Sequence, residues 1–199
     1  ISIILPVKSM LTPVYPAAVV AGNVEVSQAI TDCLFDALGA LAGAQGTMNN
    51  LNFGNSELQY YETICGGAGA GPGFNGAHAV HTHMTNTRLT DPEILELRYP
   101  VILCLFHIRR GTGGTGKWRG GDGIKRYIKF LQPMDVSILS GRRIIPPRGH
   151  SGGGDGQTGR NAIQYADGAI KSLPGRIQLR CNNGDIIMLE TPSAGGFGK

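Results

Sequence analysis

Residues 101–131 read VILCLFHIRRGTGGTGKWRGGDGIKRYIKFL, two apolar-bearing runs around a glycine-rich middle. Val101–Ile108 is a continuous apolar run holding one histidine. It predicts a buried strand with His107 as a hydrogen-bonded core residue. Ile124–Leu131 alternates basic and apolar residues and predicts a half-exposed strand. The middle, Gly111 to Lys117, fits both a dinucleotide-type GxGxxG and the first seven positions of a phosphate-binding loop. A phosphate-binding loop needs Ser or Thr after the lysine, and Trp118 stands there. Both motifs also need a helix to follow, and Arg119-Gly-Gly-Asp-Gly123 will not start one. The segment therefore reads as a glycine-rich connection between two strands.

Working outward, Val136–Leu139, Ile177–Cys181 and Ile186–Leu189 are further strands. Asn182-Asn183-Gly184-Asp185 predicts a hairpin turn joining the last two. Toward the N-terminus, Asn23 has the character of an N-cap. After it Val26, Ile30, Cys33, Leu34, Ala37, Leu38 and Leu41 recur at three- and four-residue spacing, which predicts a helix to about Ala42. Asp91-Pro92-Glu93 starts a second, short helix that ends before Pro100. The fold class is α+β: one long N-terminal helix, a short second helix and a β-rich C-terminal half. Residues 1–199 form one unit with a soft division near residue 100.

Hydrophobic residues make up 41% of the 199 and charged residues 16%, so a buried core is feasible. The 31 glycines are far above ordinary usage but follow no G-X-Y period, which excludes collagen. The apolar stretches Ile1–Leu5 and Ala17–Ala21 are too short to span a bilayer. The opening has no initiator methionine and no signal-peptide pattern, and reads as part of a longer chain. Cys33, Cys65, Cys104 and Cys181 lie far apart among apolar or small residues. They read as buried free thiols of a reducing, cytoplasmic compartment. The net charge is +4, yet Arg109–Arg148 alone holds ten Lys or Arg against two Asp. That basic segment lacks the aromatic interleaving of a single-strand binder, so it reads as a solvated or subunit-facing surface rather than a nucleic-acid site.

The chemistry concentrates in Tyr60–Arg88, YYETICGGAGAGPGFNGAHAVHTHMTNTR. Glu62 leads into a glycine cluster whose N–H groups, including those of Gly66, Gly67 and Gly69, suit an anion nest. The alternative is a flexible or bulged loop. His81 and His83 in a strand would share one face and suit metal chelation. Equally, each would hydrogen-bond neighbouring backbone, Thr85 or Asn86. Asn49 and Asn50 form a further polar cluster after the first helix.

Together these segments resemble the hydantoinase B/oxoprolinase family, and among its members most closely the ATP-dependent 5-oxoprolinases. The residues that carry the likeness are Gly43-Ala-Gln-Gly-Thr-Met-Asn-Asn50, Tyr60-Tyr-Glu-Thr63 and His81-Thr-His-Met-Thr-Asn-Thr-Arg88. Asp91–Glu96, Arg119-Gly-Gly-Asp-Gly123 and Gly195-Gly-Phe-Gly198 continue it to the C-terminus. Two positions depart from the family. Gly141 stands where an acidic residue is usual, and Ser193-Ala194 interrupts the glycine-rich ending.

The resemblance implies the C-terminal portion of a hydantoinase B-like unit. A hydantoinase A-like half, fused or separate, would bind ATP and magnesium and phosphorylate the amide oxygen of a cyclic amide. The present half would support attack by water, giving glutamate from 5-oxoproline. Relatives act on hydantoins or carboxylate ketones. On this reading Glu62, His81 and His83 are catalytic, with Glu62 or a histidine as general base. Asn49, Asn50, Gly66, Gly67, Gly69, Thr85, Asn86 and Arg88 bind substrate, Arg88 by pairing with a carboxylate. Any divalent metal would be held in a part of the unit preceding this segment. A homo-oligomer without nucleic acid or membrane partners is expected. A catalytically silent assembly module is the alternative of another class.

Overall fold

The computed structural model describes residue 2 and residues 4–19 and 22–199. Parts of the apolar stretches Ile1–Leu5 and Ala17–Ala21 thus lie outside the described residues. Two helices and nine strands follow in chain order. Helix α1 spans Gly22–Ala37. Strands β1 (Asn50–Gly54) and β2 (Gln59–Thr63) come next, then helix α2 (Pro92–Arg98) and β3 (Val101–Ile108). The remainder is β4 (Ile124–Phe130), β5 (Met134–Leu139), β6 (Arg160–Gln164), β7 (Ile170–Leu173), β8 (Arg176–Cys181) and β9 (Ile186–Glu190). The α+β class holds. The capping reading of α2 holds too, since the Asp91 carboxylate accepts from the N–H groups of Glu93 and Ile94.

The strands form two antiparallel sheets, ordered β2-β1-β5-β8 and β3-β4-β9-β6-β7. Their inner faces share one core. Leu51, Phe53, Val136 and Ile138 come from the first sheet, and Ile124, Ile128, Phe130, Ile163, Ile187 and Leu189 from the second. Phe53 meets Phe130 edge-on across the gap, 5.4 Å between ring centroids. Burying each of these side chains contributes about 1.5–3 kcal/mol.

Five expectations change. Strand β3 is an edge strand, and Ile102, Phe106 and His107 are exposed rather than buried. In β4 the inward positions are Ile124, Arg126, Ile128 and Phe130, so one basic residue of the alternation points into the core. The Asn182–Asp185 turn makes no hairpin. It carries the chain from β8 in one sheet to β9 in the other, with Gly184 at φ 94°. Of the thiols only Cys65 and Cys181 are buried, whereas Cys33 and Cys104 are exposed; none is in a disulfide.

The fifth change concerns α1. Its apolar stripe faces outward, with Ile30, Cys33, Leu34 and Leu38 exposed. The residues it buries are Gln28 and Asp32. With Glu25 they recur at helical spacing and form a polar face that docks onto the rest of the molecule. Among the described residues no helix is long and apolar enough to cross a membrane.

The glycines neither form a nest nor hang as loops. Segments 66–76, 113–123, 149–156 and 193–198 lie side by side with residues 42–45 and hydrogen-bond laterally. Gly121 N–H donates to Ala68 O (2.9 Å), Ala194 N–H to Gly121 O (2.9 Å) and Gly114 N–H to Ala194 O (2.8 Å). Gly195 N–H donates to Gly43 O (2.8 Å) and Gly196 N–H to Gly154 O (2.9 Å). A Cβ at Gly69 would overlap the Ala42 carbonyl, and one at Gly121 the Ala77 carbonyl. Side-chain-free backbone is what lets the segments approach this closely, as at the axis of a triple helix.

Candidate functional site

The start of the glycine cluster and the histidine tract meet. Gly66 and Val80 exchange backbone hydrogen bonds (Gly66 N–H to Val80 O, 3.2 Å; Val80 N–H to Gly66 O, 2.9 Å). This places His81 and His83 beside residues 44–50 and under the polar face of α1. The tract is a turn, not a strand. His83 has φ 55°, an uncommon conformation for a residue with a Cβ, and the two imidazoles do not form a chelating pair.

His83 is held by α1. Its Nε2 lies 2.7 Å from Asp32 Oδ1, in a site where both side chains are almost fully covered. Asp32 Oδ1 also accepts the Ala44 N–H (3.0 Å), and Oδ2 accepts from Arg142 Nη2 (3.1 Å). Gly46 is required here. A Cβ would lie 2.6 Å from Arg142 Nε and 2.8 Å from Asp32 Oδ2, at a φ of 61°. The carboxylate calls for a proton on Nε2, so that in the neutral tautomer Nδ1 is the lone-pair acceptor. Phe35 packs against the ring, 5.5 Å between centroids.

His81 is different. Both ring nitrogens are buried and neither has a hydrogen-bond partner. Burial pushes its pKa below the ordinary value, so the imidazole is neutral at pH 7. Gln28 braces the tract from α1, donating to Thr82 O (3.0 Å) and Thr85 Oγ1 (2.7 Å). Among the described residues no three His, Cys, Asp or Glu side chains converge as a metal site. The tract therefore does not fit a complete metal centre by itself.

The remaining expected residues divide. Asn49 spends its side chain on Gln45 Oε1 (3.0 Å), Ile64 O (3.1 Å) and Arg143 Nη1 (2.9 Å). Asn50 bonds Glu25 Oε1 (2.9 Å), Leu139 O (3.0 Å) and the Tyr61 hydroxyl (2.7 Å). Both are cross-links of the buried 44–50 segment. The N–H groups of Gly66 and Gly67 go to Val80 O and Pro192 O, and Gly69 abuts the Ala42 carbonyl, so the nest is replaced by backbone packing. Thr85 is buried under Gln28, while Asn86 and Arg88 are exposed.

Glu62 points away from the tract into the core between the sheets. Arg126 grips it with two hydrogen bonds (Nε to Oε1, 2.7 Å; Nη2 to Oε2, 3.1 Å), and the Tyr60 hydroxyl donates to Oε2 (2.7 Å). Both oxygens are spoken for, which removes the geometry a general base needs.

Asp32, Gln28, Arg142 and Arg143 are additions. The spacing Glu25, Gln28, Asp32 was the available signal, hidden by the stronger apolar stripe opposite. Arg143 is pushed down to about 10 by burial, with Glu25 opposing, and is saturated by oxygens of Asn49, Gly141 and Asn161. Burial raises the pKa of Glu25 despite hydrogen bonds from Thr47, Met48 and Asn50 and the charge of Arg143. A Cβ at Gly141 would lie 3.3 Å from Glu25 Oε2, so an acidic residue there would set two carboxylates together.

Comparison with known proteins identifies the family. The Hydantoinase B/oxoprolinase family model matches residues 1–199. A 5-oxoprolinase of Dictyostelium discoideum is 49% identical over 196 residues, covering 98% of this chain. 5-oxoprolinase 1 of Arabidopsis thaliana is 49% identical over 198 residues, covering 100%. The chain spans 16% of the length of each of these relatives. Among solved structures, an ATP-dependent caprolactamase from Pseudomonas jessenii shares the fold with a TM-score of 0.66 at 20% identity, over 80% of this chain and 30% of that one. With a family model matching from end to end and relatives at this identity, the chain belongs to the hydantoinase B/oxoprolinase family.

Proposed function

We propose that the chain forms the C-terminal portion of a hydantoinase B-like unit in an ATP-dependent cyclic amide hydrolase that opens 5-oxo-L-proline to L-glutamate. ATP and magnesium belong on a hydantoinase A-like half, which activates the amide oxygen. The observation that carries the reading is the 49% identity to 5-oxoprolinases over nearly the whole chain. The dyad of Asp32 and His83 gives it a chemical basis.

In this reading His83 Nδ1 takes a proton from the water that bonds to the activated ring carbon and passes it to the ring nitrogen as the C–N bond breaks, leaving an acyl phosphate that a second water hydrolyses to carboxylate and phosphate. Asp32, pinned by Arg142, stabilises the imidazolium that forms. His81, neutral and without a protein partner, offers an N–H and a lone pair to the ring. Exposed Arg88 meets the substrate carboxylate. Glu62 takes no part in proton transfer. The test is ATP-dependent release of glutamate by the complete protein, with N-methylhydantoin and acetone as competing substrates. Preference for either competitor, or no ATP-dependent turnover of any of the three, overturns the assignment.

A further inference from the structure

A second cluster, sharing no residue with the dyad, lies where the glycine bundle meets the basic segment. Asn75, His78, Arg110, Arg119 and Asp122 line a cavity of 320 Å³. The backbone around it is fixed. Gly76 N–H donates to Arg119 O (2.8 Å), Arg119 N–H to Asn75 Oδ1 (2.7 Å) and Ala79 N–H to Asp122 O (3.1 Å).

The polarity of the lining is one-sided. The Asp122 carboxylate is consumed by its own loop, accepting from Gly113 N–H at Oδ1 (2.7 Å) and from Gly111 N–H at Oδ2 (3.1 Å). His78 Nδ1 accepts the Asp122 backbone N–H (2.8 Å) and lies 3.4 Å from Asp122 Oδ2, so in the neutral ring the proton sits on Nε2. Asn75 has spent its oxygen on Arg119, so its amide N–H groups remain as donors. Arg110 and Arg119 form no ion pair among the described residues. The cavity is thus lined by two arginines without ion-pair partners, an imidazole and an amide, and Asp122 is its one acidic residue.

Donors from four side chains around a small volume suit a compact oxyanion with acceptors on every side. A planar carboxylate would engage one guanidinium and leave the others idle. We propose that the Asn75, His78, Arg110 and Arg119 cavity is a binding site for a phosphate group, either free phosphate or the phosphate of a small ester. It does not depend on the hydrolase reading, because neither Asp32 nor His83 contributes to it.

The experiment is calorimetric titration of the protein with inorganic phosphate, glycerol phosphate and acetate in parallel. Saturable phosphate binding is expected. Arg110→Gln and Arg119→Gln should each weaken it by about tenfold or more. Both residues are exposed, so neither change threatens the fold. Arg180→Gln, at an exposed guanidinium paired across β5 and β8 with Asp135, should leave affinity unchanged. Tighter binding of glycerol phosphate than of free phosphate assigns the site to an ester, and the reverse to the free ion. Absence of saturable phosphate binding, equal loss in Arg180→Gln, or binding of acetate alone overturns the proposal.

Discussion

Glu62 and Arg126 face one another from opposite sheets, joined by two hydrogen bonds in an interior that leaves them 4% and 1% exposed. The pair is a rivet between β2 and β4 in an otherwise apolar core. Removing one member strands the other charge out of water. Glu62→Ala or Arg126→Ala should each cost about 3–5 kcal/mol in urea unfolding. The double variant Glu62→Leu with Arg126→Met should recover most of that loss. Additive losses would show that the two side chains do not act as a unit.

The dyad makes a prediction about catalysis. In the complete protein, His83→Ala should lower kcat for ATP-coupled ring opening by about 10²–10⁴-fold. Asp32→Asn keeps the shape but misplaces the proton, and should lower kcat with KM nearly constant. Wild-type turnover in His83→Ala would remove His83 from the reaction.

The glycine bundle predicts intolerance to the smallest substitution. Gly69→Ala should destabilise by about 1–3 kcal/mol, because the added methyl meets the Ala42 carbonyl. Gly22→Ala, at the exposed start of α1 with open space around it, should be neutral or mildly stabilising in the same melt.

The thiols should separate by reactivity. Burial pushes Cys65 up to about 11 and Cys181 up to about 12, so neither has appreciable thiolate at pH 8. Cys33 and Cys104 are exposed. Ellman's reagent should titrate two thiols promptly in the native protein and four after denaturation. Prompt reaction of all four would mean that the core opens readily.

The legible parts of the fold were those where local chemistry and tertiary environment agree. Asp91-Pro92-Glu93 caps α2 through bonds within its own turn, so no distant residue decides it. The Arg126 position was read correctly as strand and incorrectly as surface, because its partner Glu62 lies 64 residues away. The Asn50–Gly54 and Gln59–Thr63 strands were missed. Their buried polar residues, Asn50 and Glu62, imitate loop composition until their partners are known. In the site, His83 was visible and Asp32 was not. A carboxylate on a helix face reads as solvated unless the opposite, apolar face is seen to point outward. The glycines were conspicuous, but composition does not distinguish a ligand cradle from strands of backbone packed against one another.

Helix α1 is fastened by polar contacts through Glu25, Gln28 and Asp32, with little hydrocarbon beneath it. Such an attachment sacrifices little water-excluding area when it lets go. Amide protons of residues 22–37 should therefore exchange with deuterium well before those of β4 and β9. Each such excursion would carry Asp32 away from His83, making the imidazole's orientation a property of a latch rather than of the rigid sheets.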